Sequence, residues 1–120
     1  MKYYSTNGQA PLASLQEAVT CGLAPDKGLY MPEHIRPLPS SFYEQMDSMS
    51  FQEIAFEVAK AFFGEDIPEA DLHNIVYDTL CFDCPLVKVE KNIYTLELFH
   101  GPTLAFKDVG ARFMARMLGY

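Results

Sequence analysis

The chain is 120 residues long, which suits one domain with a core of its own and not two. With 49% hydrophobic and 21% charged residues it is neither disordered nor low in complexity, and no apolar run approaches the roughly 18 residues that span a bilayer. A net charge of −7 repels phosphate backbones and anionic lipid, which counts against nucleic-acid and membrane-surface binding.

The N-terminus carries a lone Lys2 with no apolar stretch behind it, so it does not read as a secretory signal, and the expected location is the cytoplasm. Tyr3–Thr6 is β-prone and runs into the turn signal Asn7-Gly8. Ser14 and Glu17 form a capping box ahead of a short stripe of Leu15, Ala18 and Val19, and Gly22 stands where a C-terminal cap belongs. Asp26 to Pro32 reads as a turn leading into an apolar strip. Pro37, Pro39 and Ser40-Ser41 then predict a loop or a single turn.

The strongest predicted helix is 51–63. Ser50 and Glu53 make a second capping box, and Phe51, Ile54, Ala55, Val58, Ala59, Phe62 and Phe63 fall on one apolar face before Gly64. A further helix fits 69–80, opened by Pro68 and carrying Leu72, Ile75, Val76 and Leu80. His73 lies off that stripe and is expected in solvent. The period then changes. Leu86–Glu90 and Ile93–Phe99 read as a hairpin around Lys91-Asn92, because Asn tolerates the positive φ of a tight turn. His100-Gly101-Pro102-Thr103 cannot continue a strand. From about Phe106 a last helix is expected, with Val109, Phe113, Met114, Met117 and Leu118 as its apolar stripe.

Three cysteines do not make a disulfide framework. Cys81 and Cys84 have C-x-x-C spacing, but zinc would need two more ligands and no second short-spaced pair exists, so thiols in a helix-to-strand turn are the expectation and metal is not. The cationic residues that stand out are in the last twenty positions, where Lys107, Arg112 and Arg116 face Asp108 alone. Lys107 is placed in the opening turn of a helix, where the dipole disfavours a cation. It is either a surface accident or a lysine whose neutral amine is needed. Neutral lysines form Schiff bases with carbonyl cofactors.

Phe99-His100-Gly101-Pro102-Thr103-Leu104-Ala105-Phe106-Lys107-Asp108 closely resembles the pyridoxal-phosphate lysine motif of the threonine synthase family. Gly22 to Pro32 resembles an early segment of the same family, and Lys2 to Thr6 looks like its first strand. The resemblance implies an α/β fold: a small α+β-like N-terminal domain with short strands, a hairpin and three to four helices, the start of a fold-type II pyridoxal-phosphate enzyme. It implies an N-terminal α/β domain over 1–100, with 101–120 as the lysine loop and first helix of the cofactor-binding region. It implies a lyase of threonine biosynthesis that converts O-phosphohomoserine and water to threonine and phosphate. Lys107 would be the catalytic Schiff-base residue, with Phe106 beside the cofactor and no metal. Arg112 and the cationic tail would sit near a phosphate-rich site. The family's enzymes are several-fold longer, and their glycine-rich phosphate loop lies downstream; the glycines here are all isolated. The chain therefore reads as an N-terminal fragment, inactive alone and self-associating through its last helix. Two alternatives stand beside it: a related phospholyase that releases a keto acid, and a non-catalytic interaction module of the same fold.

Overall fold

The computed structural model describes residues 1–120, and the chain forms two compact units, 1–74 and 75–120. The elements in order are β1 (Tyr3–Ser5), α1 (Leu15–Cys21), β2 (Tyr30–Pro32), α2 (Ser40–Gln45), α3 (Phe51–Phe63), α4 (Glu69–Thr79), β3 (Leu86–Glu90), β4 (Ile93–Leu96) and α5 (Lys107–Gly119). A single 3-10 turn, Met46–Ser48, follows α2. This is a small mixed fold of five α-helices and short antiparallel strands, and no helix is long and apolar enough to cross a membrane.

In the first unit β1 pairs antiparallel with β2, Tyr4 opposite Met31 and Ser5 opposite Tyr30. Period-two alternation buries Tyr3 and Ser5 and leaves Tyr4 outside. Tyr3 also exchanges both backbone hydrogen bonds with Ala13, which brings the start of α1 to the pair. The Ser14–Glu17 capping box is formed: the Glu17 amide donates to Ser14 Oγ and the Ser14 amide to Glu17 Oε2 at 2.7 Å. Gly22 closes α1 at φ 71°, a conformation that only glycine adopts without penalty.

One carboxylate organises the loops between these elements. Asp26 Oδ1 accepts from Ser5 Oγ at 2.6 Å and from the Gly28 amide at 3.0 Å, while Oδ2 accepts from the amides of Gln9 and Ala10. Gly28 must lack a side chain, because a Cβ there would lie 2.0 Å from Ser5 Oγ. The Ser5 hydroxyl, followed by these backbone amides, holds the Asp26 carboxyl below the usual carboxylate range against the opposing effect of desolvation.

Helix α2 goes beyond the single turn that the sequence predicts. It has no side-chain cap, begins after Pro39, and buries Phe42 alone. Helix α3 has the predicted bounds and a complete Ser50–Glu53 capping box. Its burial differs from the predicted face. Ala59 and Ala61 are its buried residues, while Phe51 and Val58 remain exposed, so small residues mark the closest approach and the large ones spread over its margins. Helix α4 buries Leu72 completely, together with Ile75, Val76 and Thr79, and Leu80 just beyond it is buried too. His73 is exposed as expected, but its ring stands edge-on to Phe56 at 5.2 Å.

In the second unit β3 and β4 form the predicted hairpin, with Leu86 opposite Leu96 and a register shift between Lys88 and Glu90. Asn92 takes φ 65°, as the tight connection requires. Every residue of both strands is exposed. Strand β4 ends at Leu96 and not at Phe99; beyond it the Glu97 amide donates to Pro85 O.

Because the folded-state pKa of Asp26 is depressed, its contribution to stability is present above the ordinary carboxylate pKa of about 4 and is lost as pH falls through the lower folded value. Asp26→Ala is expected to lower the thermal midpoint at pH 7 and to flatten the fall of that midpoint between about pH 5 and pH 2. Superimposable midpoint–pH curves for the two proteins would show that the carboxylate organises nothing.

Candidate functional site

The chemistry-bearing segment lies in the second unit, between the end of β4 and the first turn of α5. Gly101 and Pro102 lie in the loop beyond β4, and that loop tightens through the Leu104 amide donating to Gly101 O at 3.0 Å. Leu104 takes φ 54°, an uncommon left-handed conformation for a branched side chain. Phe106 occupies the N-cap position with helical dihedrals and provides no side-chain cap. The amides of Asp108 and Val109 donate to the carbonyls of Ala105 and Phe106, so the first turn is tight.

The acid in this turn faces inward. Asp108 is 3% exposed, its Oδ2 accepting from the Thr103 amide and its Oδ1 from Thr103 Oγ1, both at 2.8 Å. A carboxylate near a helix N-terminus is also favoured by the dipole. Lys107, the first residue of α5, is exposed and carries no ion pair to this neighbouring acid, which is bonded to Thr103. The apolar side chains beside the lysine, Leu104 and Phe106, are 77% and 74% exposed. Within this chain they do not enclose the amine. His100 stacks on Phe99 with ring centroids 4.7 Å apart and meets Glu97 Oε2 at 2.7 Å.

The cationic tail is engaged elsewhere in the unit. Arg112 donates through Nε to Thr79 O and through Nη2 to Asp78 O at 2.7 Å and Cys81 Sγ at 3.3 Å. It thus satisfies carbonyls that the end of α4 leaves open, a favourable place for a cation at a helix C-terminus. Arg116 pairs with the Asp78 carboxylate, and that hydrogen bond holds the Asp78 carboxyl below its ordinary range. In this structure Arg112 is thus engaged by backbone carbonyls and a thiol through Nε and Nη2. Cys81 and Cys84 are free thiols in the turn between α4 and β3, and burial, followed by the charge of Asp83, pushes the Cys84 thiol up. In the sequence, Thr103 stands out only as part of the Gly101-Pro102-Thr103 loop expected to shape the surroundings of Lys107, and neither Asp108 nor Glu97 stands out beyond the motif. The available signal was an acid immediately after a first-turn lysine and a threonine just upstream.

A family model described as the threonine synthase N terminus matches residues 2–80. The chain belongs to this family. Threonine synthase of Escherichia coli strain K12 is 38% identical over 118 residues, covering 98% of this chain and 28% of that protein. Threonine synthase of Schizosaccharomyces pombe is 40% identical over 126 residues, covering all of this chain and 24% of its own length. A crystal structure of pyridoxal-phosphate-bound threonine synthase from Brucella melitensis superposes with a TM-score of 0.91 at 42% identity, across 100% of this chain and 27% of that one. The chain thus spans about a quarter of the length of the threonine synthases it matches. The family model ends before Lys107, and likeness through the lysine segment rests on the relatives, which align over nearly the whole chain.

Replacing Arg112 by Lys retains the charge but cannot reach three acceptors in a fork. The urea midpoint is expected to fall by an amount equivalent to about 0.5–1.5 kcal/mol for each hydrogen bond lost. An unchanged midpoint would show that the contacts with Asp78, Thr79 and Cys81 contribute nothing.

Proposed function

We propose that the chain is the N-terminal part of a cytoplasmic, pyridoxal-phosphate-dependent threonine synthase, a carbon–oxygen lyase that converts O-phosphohomoserine and water to threonine and phosphate. The observation that carries this reading is the extent of the match: relatives named threonine synthase align over 98–100% of the chain, through the lysine segment. Lys107 is the residue proposed to hold the cofactor as a Schiff base and afterwards to carry a proton on Nζ. Its position supports the role, since an exposed amine at a firmly bonded helix start is accessible to an aldehyde. The bound cofactor supplies an electron sink for carbanions at Cα and Cβ of the substrate. Phe106, projecting beside the lysine, is proposed to flank the cofactor ring.

The residues present fit the aldehyde end of the cofactor and not its phosphate. The glycines at 8, 22, 28, 64, 101, 110 and 119 are isolated, and Arg112 and Arg116 are engaged by α4 and Cys81. The 120-residue chain alone is therefore proposed to be inactive. In isolation it is proposed to self-associate through α5, whose Met114 and Leu118 are exposed. Residues 101–120 are proposed to be the beginning of the cofactor-binding region, a functional division separate from the two compact units, 1–74 and 75–120.

In the full-length protein, Lys107→Ala is expected to abolish threonine formation and the visible absorbance of the lysine-bound cofactor. Wild-type absorbance in that variant would overturn the assignment. Release of a keto acid in place of threonine would identify the phospholyase instead, and a wild-type protein with no affinity for pyridoxal phosphate would identify a non-catalytic module.

A further inference from the structure

We propose that Asp108 is a positioning residue for Lys107, acting through a carboxylate staple to Thr103 that sets the direction of the lysine; the inference rests on the Schiff-base reading of Lys107. Three observations carry it. Asp108 is almost completely buried in a surface segment, and both its oxygens are bonded to one residue, the amide and the hydroxyl of Thr103. Gly101 leaves the space for it: a Cβ there would lie 2.6 Å from Asp108 Oδ2 and 2.8 Å from its Cβ. The helix start has no other side-chain cap, because Phe106 occupies the N-cap position and makes no such bond.

The consequence for Lys107 is geometric. Successive residues of an α-helix project about 100° apart. With Asp108 fixed inward, Lys107 is fixed on the neighbouring outward face, and its backbone is bracketed by the tight hydrogen bonds at Ala105 and Phe106. Without the staple, the Thr103 amide and hydroxyl lose their acceptor on the first turn, and the loop before Lys107 is no longer tied to the helix by a side chain. Leu104, held at positive φ inside the same loop, adds a tendency to relax once the carboxylate is removed. Lys107 would then sample many directions, and condensation of Nζ with an aldehyde, which forms the C=N bond and releases water, would proceed from a smaller share of productive orientations.

The test uses the full-length protein with Asp108→Ala, Thr103→Val and Thr103→Ser. In cofactor-free protein, hydrogen exchange is measured over residues 101–110. On addition of pyridoxal 5′-phosphate, the rate of Schiff-base formation and its pH profile are followed by absorbance. Asp108→Ala and Thr103→Val are expected to quicken exchange in this segment and to slow Schiff-base formation roughly tenfold or more, as misplaced reacting groups do. Thr103→Ser, which keeps the hydroxyl, is expected to restore both. Faster exchange with a wild-type rate and pH profile would show a purely structural role and overturn the inference. Should Asp108→Ala fail to fold, the Thr103→Val and Thr103→Ser pair decides on the same two readouts. The underlying reading fails separately: a Lys107→Ala protein that still forms a borohydride-reducible adduct refutes the lysine, whereas a Lys107-dependent adduct formed at the wild-type rate in Thr103→Val refutes the staple alone.

Discussion

A buried carboxylate two residues into a helix holds the loop before it. Asp108 accepts from both the amide and the hydroxyl of Thr103, and these two bonds tie the loop before Lys107 to the first turn of α5. The loop must turn sharply, so Gly101 packs against the acid with no space for a Cβ, and Leu104 accepts a positive φ. The helix can then begin without a serine, threonine or asparagine cap. Lys107 is left as its first residue with its amine exposed and with the adjacent acid facing the other way.

The first unit uses the same device for a different purpose. Asp26 gathers a hydroxyl and three backbone amides from the loops around β1 and β2, and Gly28 is the small residue that permits the approach. There the acid joins loops far apart in sequence, and the effect is cohesion of a unit with very short strands. At Asp108 the bond spans five residues, and the effect is local direction. The strands of the first unit are only three residues long, so side-chain-to-backbone bonds such as those of Asp26 add to its few ladder hydrogen bonds in holding the loops.

Much of the fold was legible because its helix ends use strong local chemistry. Ser14 with Glu17 and Ser50 with Glu53 place the starts of α1 and α3, and Gly22 places a stop, since these bonds form between residues three or four apart. The hairpin was legible from Asn92 for the same reason. Helix α2 was not, because it has no side-chain cap and a single buried side chain, Phe42, which leaves no periodic signal. The burial of α3 is not legible in the sequence, because periodicity gives a face and not its depth: Ala59 and Ala61 are deep, while Phe51 and Val58 are not. At the candidate site Lys107 was legible from the motif. The Thr103–Asp108 bond was not, since it depends on how a Gly-Pro loop folds back, and neither was Arg112, whose acceptors lie more than thirty residues away on the end of α4.

Lys107 is the residue proposed to carry the cofactor. The decisive measurement is to reduce the full-length protein, loaded with pyridoxal 5′-phosphate, with borohydride and to locate the pyridoxyl group by peptide mass spectrometry. One modified site is expected, on the peptide containing Phe106-Lys107-Asp108. A pyridoxyl group on any other lysine, with Lys107 unmodified, would contradict it.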